Sequence, residues 1–281
     1  MPRKPAEVEL HAPTPRVVDG IRVGVGGWTY APWRDNFYPT GLVQRRELEY
    51  ASRHLTAIEI NGTWYGAQKP ATYAKWRDET PDGFVFSVKA PQRITMARDL
   101  AGTDGQIDAF LGGIVTLADK LGPVVWQFDP GRKLHHDELA RFVALLPKVV
   151  DGRVVRHVLD VRVHTRVDAA FLALAREHGL ATVFTDSSEH PSFADVTTDF
   201  VYARLMQARS VVQTGYPIPE LQRWAERAHL WAAGAEPDDL PRLEPASSSH
   251  KGPRDVFIYF ISAAKERNPA AAQALLGLLG A

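Results

Sequence analysis

Short apolar runs alternate with amphipathic stretches along the chain, an order that predicts strands separated by helices. IRVGVGG reads as a first strand, and LTAIEIN, FVFSVKA, PVVWQF, VRHVLDVR, LATVFTD, DFVYARLM and DVFIYFIS follow as seven more. Between them, LVQRRELEYASRHL carries Leu48 and Leu55 at helical spacing, and PATYAKWRDE opens with a proline where a first turn tolerates one. DAFLGGIVTLADKLG, HDELARFVALLP, DAAFLALAREHG, PIPELQRWAERAHLWAAG and NPAAAQALLGLLG read as further helices, with Gly122 expected to close the first of these just before its strand. The sixth connection, SSEHPSFADVTT, is at best weakly helical, and PDDLPRLEPASSSHKGP reads as a mobile loop. Residues 1–20 form a proline-rich leader read as disordered, and residues 21–281 one domain. Eight strands with no ninth favour a closed (β/α)8 barrel of the TIM type, irregular around the sixth helix, over an open doubly wound sheet.

Side chains alternate between the faces of a strand. In AIEINGTWYG, residues 57–66, that sets Ile58 and Ile60 on one face and Glu59 and Asn61 on the other. A closed barrel would turn the isoleucines to the helices and Glu59 inward. Function in such barrels gathers at the C-terminal strand ends, which here offer Glu59 and Asn61, Ser87 and Lys89, Gln127, Asp160 and Arg162, Asp186, Tyr202 and Arg204, and Tyr259. Three acids and three bases stand where apolar residues are usual, and in one cavity they would nearly neutralise one another. One reading is a buried ion-pair network that fixes geometry at little net gain in stability. The other is a pocket for a small polar or phosphate-bearing ligand, favoured because burying six charges is costly unless something uses them.

Composition narrows the partners. The chain has 281 residues, 45% of them hydrophobic, which is enough for a large core. Absence of cysteine excludes disulfides, thiolate nucleophiles and cysteine-held metals. The 33 basic and 33 acidic residues cancel and offer nucleic acid no bulk field. No apolar run approaches the roughly 18 residues of a membrane span, and residues 1–20 carry prolines and charges rather than a signal sequence, so a cytoplasmic protein without a membrane partner is expected. The ten histidines show no zincin spacing, and neither a metal site nor a cofactor is expected. His135 and His136 fall at a helix start on the surface, while His164 is the histidine expected to look into the barrel mouth. The glycines of GVGG suit a tight turn better than a phosphate loop, and Trp28, Trp33, Trp64 and Tyr65 either pack loops or present a stacking platform.

The segments GVGGWTYAPWRDNFYP, IEINGTWYG, FVFSVKAPQRIT, VVWQFDP, TDFVYARL and DVFIYF together resemble the YecE-like family, the domain of unknown function numbered seventy-two. The resemblance runs from about residue 22 to 262 and implies a (β/α)8 barrel with no established activity. Its recurrent positions fall on Trp28, Tyr30, Trp33, Glu59, Asn61, Thr63, Tyr65, Lys89, Gln127, Arg162, Asp186, Arg204 and Tyr259. The chain departs from the family pattern at Met96 and Met206, where histidine is common, at Asp160, where glutamate is common, and at Ile261 and Ser262, where asparagines are common.

Three functions follow as expectations. A hydrolase or lyase of a small sugar-like or phosphate-bearing substrate would use Glu59 as acid or base, Asp160 or Asp186 as its partner, and Lys89, Arg162 and Arg204 to hold an anion. Trp28, Tyr30, Asn61, Tyr65, Gln127 and Tyr259 would complete the binding surface. A Schiff-base role for Lys89 is a weak variant of this reading, because neighbouring acids would keep it charged. The alternatives are a nucleic-acid-processing protein loosely like endonuclease IV, an analogy of fold alone, and a non-catalytic module that binds a metabolite.

Overall fold

The computed structural model describes residues 14–132, 134–245 and 252–281. Most of the expected leader, residues 1–13, and residues 246–251 of the expected mobile loop lie outside the described residues. Eight parallel strands close into a barrel: β1 (Ile21–Gly26), β2 (Ala57–Ile60), β3 (Val85–Lys89), β4 (Leu121–Phe128), β5 (His157–Val161), β6 (Ala181–Thr185), β7 (Phe200–Leu205) and β8 (Asp255–Phe260). Helices α1 (Glu47–Ala51), α2 (Pro70–Glu79), α3 (Asp104–Ile114), α4 (His136–Val143) and α5 (Ala169–His178) fill the first five connections. Helix α6 (Ile218–Ala232) joins β7 to β8, and α7 (Asn268–Leu279) follows β8. No described helix is long and apolar enough to cross a membrane.

The expected face assignment holds in β2. Ile58 and Ile60 join the large core between strands and helices, whereas Ala57 joins an inner cluster with Val85, Val125, Val158, Val183 and Tyr202. Gly24 is required by a close approach, since a Cβ on it would lie 1.9 Å from the carbonyl oxygen of Ala57 on β2. Gly27, at φ +75°, turns the chain out of β1.

Several boundaries differ from the pattern. Gly122 does not close a helix. It lies inside β4, pressed against the backbone of Phe86, and the reversal falls instead at Ala118, whose φ is +57°. Between β6 and β7 the chain forms no helix, as Pro191 and the run Val196, Thr197, Thr198 disfavour one. Residues 193–197 instead lie along β6, where Thr197 donates to the Leu180 carbonyl at 2.6 Å. The stretch 237–245 is anchored rather than loose: Pro241 accepts from the Ala194 amide at 2.8 Å, and the Asp195 carboxylate accepts from the amides of Leu243 and Glu244. A two-stranded antiparallel hairpin, Val149–Val150 with Arg153–Val154, had no signature in the pattern.

On the outer face of β5, His157 accepts from Trp126 Nε1 at 3.1 Å through Nδ1 and uses Nε2 to reach the Pro147 carbonyl at 2.8 Å. Burial lowers its imidazole to about 4. Between pH 6.5 and 4 the unfolded chain therefore takes up a proton that the folded chain refuses. The stability tied to neutral His157 is complete above about pH 6.5 and shrinks with acid, by up to about 3 kcal/mol near pH 4. His157→Gln should flatten this slope, as urea unfolding at pH 7 and pH 5 would reveal.

Candidate functional site

The barrel has two unlike ends. At the N-terminal end, Phe200 and Phe257 plug the interior, and Arg22 and Arg156 lie over their rings while each donates to the Asp255 carboxylate. A cavity of about 710 Å³ opens there. Its two best-placed arginines are already paired, and barrels of this type put their chemistry at the opposite end.

At the C-terminal end, parallel register sets Glu59 beside Ser87, Gln127 beside Asp160, and Arg204 between Thr185 and Tyr259. Inward alternation then turns these side chains toward one point. Arg204 is the hub. Its Nε donates to Glu59 Oε2 at 2.9 Å, and its Nη1 donates to Asp160 Oδ2 and, at 3.3 Å, to Gln127 Oε1. The Tyr202 hydroxyl donates to the same Glu59 oxygen at 2.5 Å, Arg162 Nε donates to Asp160 Oδ2 at 3.0 Å, and Gln127 Nε2 donates to Asp129. Ser87 and Tyr259, from non-adjacent strands, share a hydrogen bond of 2.7 Å across the interior, with the Tyr259 ring 5.2 Å from that of Tyr202. Glu59 is fully buried and Arg204 nearly so. Burial opposes the arginine's charge, but the carboxylates of Glu59 and Asp160 outweigh it and hold the guanidinium protonated more firmly than usual. Burial, and after it the Glu59 charge, pushes the Tyr202 phenol up.

A guanidinium thus fills the space between Glu59 and Asp160. Two carboxylates acting across a scissile bond need that space for substrate and water. Glu59 Oε1 and Arg204 Nη2 remain buried without a hydrogen-bond partner.

Lys89 sits differently. Its Nζ lies 4.0 Å from the centre of the Trp64 ring, and among the described residues no carboxylate comes within ion-pair distance of it. Burial, and then Arg204, lowers its ammonium to about 8, with Arg162 adding to the effect and Glu59 and Asp160 only partly opposing it. Lys89 therefore keeps its proton at pH 7 with only partial support from the neighbouring acids, because Arg204 and Arg162 have already claimed them. Asp186 is also absent from the cavity where near-neutrality was expected. It accepts from the Met206 amide at 2.6 Å and from the Tyr216 hydroxyl at 2.8 Å, and so ties together the loops after β6 and β7. Burial raises its carboxyl. The inward groups that remain are Glu59, Asp160, Lys89, Arg162 and Arg204, which leave one positive charge in surplus when Lys89 is protonated.

The other candidates lie outside this centre. Asn61 has left the strand, and its amide faces the Glu59 carbonyl at 3.5 Å in room left by Gly26. Trp28 packs edge-on against Trp76 and Phe86. Tyr30 packs against Trp33 under Lys265. Tyr65 is 84% exposed. His164 is exposed on a single turn rather than facing the mouth. The histidine that does approach is His190, from the helix-free connection. Burial, then Arg162, lowers its imidazole, and its Nδ1 is buried without a partner. Met96 is exposed beside one rim crevice, and Met206 borders another of about 480 Å³ over the ends of β6 to β8. Among the described residues no group of three His, Cys, Asp or Glu side chains is placed to hold a metal.

A family model described as "Protein of unknown function DUF72" matches residues 22–281. The UPF0759 protein YunF of Bacillus subtilis (strain 168) is 29% identical over 116 residues, 39% of this chain and 40% of that protein. The UPF0759 protein YecE of Escherichia coli (strain K12) is 30% identical over 102 residues, 36% of this chain and 35% of that one. The chain thus spans well under half the length of these curated relatives. Among solved structures, a DUF72 family protein from Thermotoga maritima MSB8 superposes with a TM-score of 0.67 at 18% identity, over 91% of this chain and 96% of that one. The SacUVDE structure superposes with a TM-score of 0.53 at 10% identity, over 92% and 98% of the two chains. Likeness at these identities concerns the fold alone.

Proposed function

The chain belongs to the DUF72 family, and from that premise we propose that its C-terminal barrel mouth binds a small polar metabolite carrying an anionic group. The observation that carries this reading is Lys89: a half-buried ammonium in a centre whose acids are all engaged by arginines. A cation partly withdrawn from water and without a counter-ion costs free energy, and an anionic ligand would offset that cost. In this reading the site has two tiers. Glu59, Tyr202, Arg204, Asp160 and Gln127 form a buried cage that fixes geometry. Lys89, Arg162, His190 and Trp64 form the tier a ligand can touch. Glu59 and Asp160 then act as holders of Arg204 rather than as an acid–base pair.

Thermal-shift screening with small carboxylates and sugar phosphates tests the proposal. At least one should raise the melting temperature by the mass-action effect of a ligand that binds only the folded state. The shift should vanish in Lys89→Met and weaken in Arg162→Ala. A shift that survives Lys89→Met, or none with any anion, would sink the reading. The nucleic-acid alternative rests on an analogy of fold alone, and salt-sensitive retention of single-stranded DNA in a gel would revive it.

A further inference from the structure

We infer that Lys89 captures the carbonyl group of a small anionic aldehyde or 2-oxo acid as an imine, with Arg162 holding the anionic end. The inference rests on the mouth being a ligand site and names the substrate class of that site. Its basis is geometric. Lys89 Nζ makes no hydrogen bond or ion pair among the described residues and rests on the Trp64 face at 4.0 Å, so the amine is positioned without being consumed. Arg162 uses Nε for Asp160, and among the described residues neither terminal nitrogen has a partner, which leaves two donors for a carboxylate or phosphate. Arg204 supplies a fixed second cation in the same interior, locked by Glu59 and Asp160 and unable to swing away to neutralise a ligand. A desolvated lysine beside another cation is a recognised route to a nucleophilic amine, and the lowered ammonium of Lys89 is in keeping with it.

The step balances without a co-reactant. The lone pair of the neutral amine forms the C–N bond as the carbonyl π pair moves to oxygen. The two amine hydrogens and that oxygen then depart as water when C=N forms. No oxidant or reductant takes part until borohydride is added to trap the product.

The test treats the intact chain at pH 7 with pyruvate, glyoxylate or pyridoxal 5′-phosphate, then borohydride, followed by peptide mapping. Lactate serves as the carbonyl-free analogue in parallel thermal shifts. A reduced adduct on Lys89, on the order of tenfold above that on any other lysine because more of its amine is neutral, and lost in Lys89→Arg, is the expected result. Labelling spread evenly over the lysines, or none with any of the three probes, overturns the imine. If lactate stabilises the wild type but not Lys89→Met while no adduct forms, the anion site stands and the imine alone falls. If lactate and the wider anion screen give no shift and no adduct forms, both fall.

Discussion

Replacing Arg204 by methionine is expected to lower the stability of the folded chain by about 3–5 kcal/mol, the usual cost of removing one partner from a buried ion network. Methionine fills much of the arginine's volume, so cavity formation contributes little. The loss comes from what remains: Glu59, fully buried, and Asp160 face a common space, and each has lost a hydrogen-bond donor. Urea unfolding should show a lower midpoint at an unchanged slope. Adding Glu59→Gln and Asp160→Asn in the same chain should recover much of the loss, because the uncompensated charges rather than the missing contacts carry the cost. If Arg204→Met alone proves neutral, the cage does not hold the mouth together, and the assignment of Glu59 and Asp160 to a holding role fails with it.

Lys89→Met should act in the opposite direction and stabilise the chain at pH 7. Burial lowers the Lys89 ammonium from its ordinary 10.5 to about 8, so the folded state gives up that proton more readily than the unfolded state does. Each unit of such a shift is worth about 1.4 kcal/mol, and the charged lysine therefore costs the fold up to about 3 kcal/mol below pH 8. Removing a purely structural ion-pair partner does the reverse. A stabilised variant that has also lost its ligand response would identify Lys89 as a residue kept for binding at the expense of stability.

The strand order, the closure of the barrel and the inward turn of Glu59 were legible in the sequence, because period-two alternation and short apolar runs follow directly from the pleat and from burial. The gathering of Glu59, Gln127, Asp160, Arg204 and Lys89 was legible too, since barrel topology alone brings inward strand ends together. Which charge would pair with which was not. Composition suggested near-neutrality, but Asp186 left the centre for the Met206 amide and Tyr216, a backbone bond with no sequence signal. Lys89 was expected to stay charged beside acids, and only the geometry of Arg204 and Arg162 shows those acids to be engaged. His190 lies in a connection without periodicity, so nothing in the pattern could aim it. His164, two residues beyond Arg162, looked placed by alternation, but the strand ends at Val161 and a turn carries it to the surface. Trp28 and Tyr65 show the same limit, since aromatics in loops carry no direction in sequence.

Whether Lys89 lacks a partner within the protein is tested most directly by the stability difference between Lys89→Met and the wild type, followed by urea unfolding from pH 6 to pH 10.5. Titrations common to both chains cancel in the difference, which leaves that of Lys89. Lys89→Met is expected to be more stable than the wild type, by up to about 3 kcal/mol below pH 8, with the advantage shrinking steadily as pH rises toward 10.5 and the wild-type lysine loses its charge in both states. A variant less stable than the wild type at pH 7, or a difference that does not change with pH, would show that Lys89 is already satisfied within the protein and would contradict the claim that it waits for an anionic ligand.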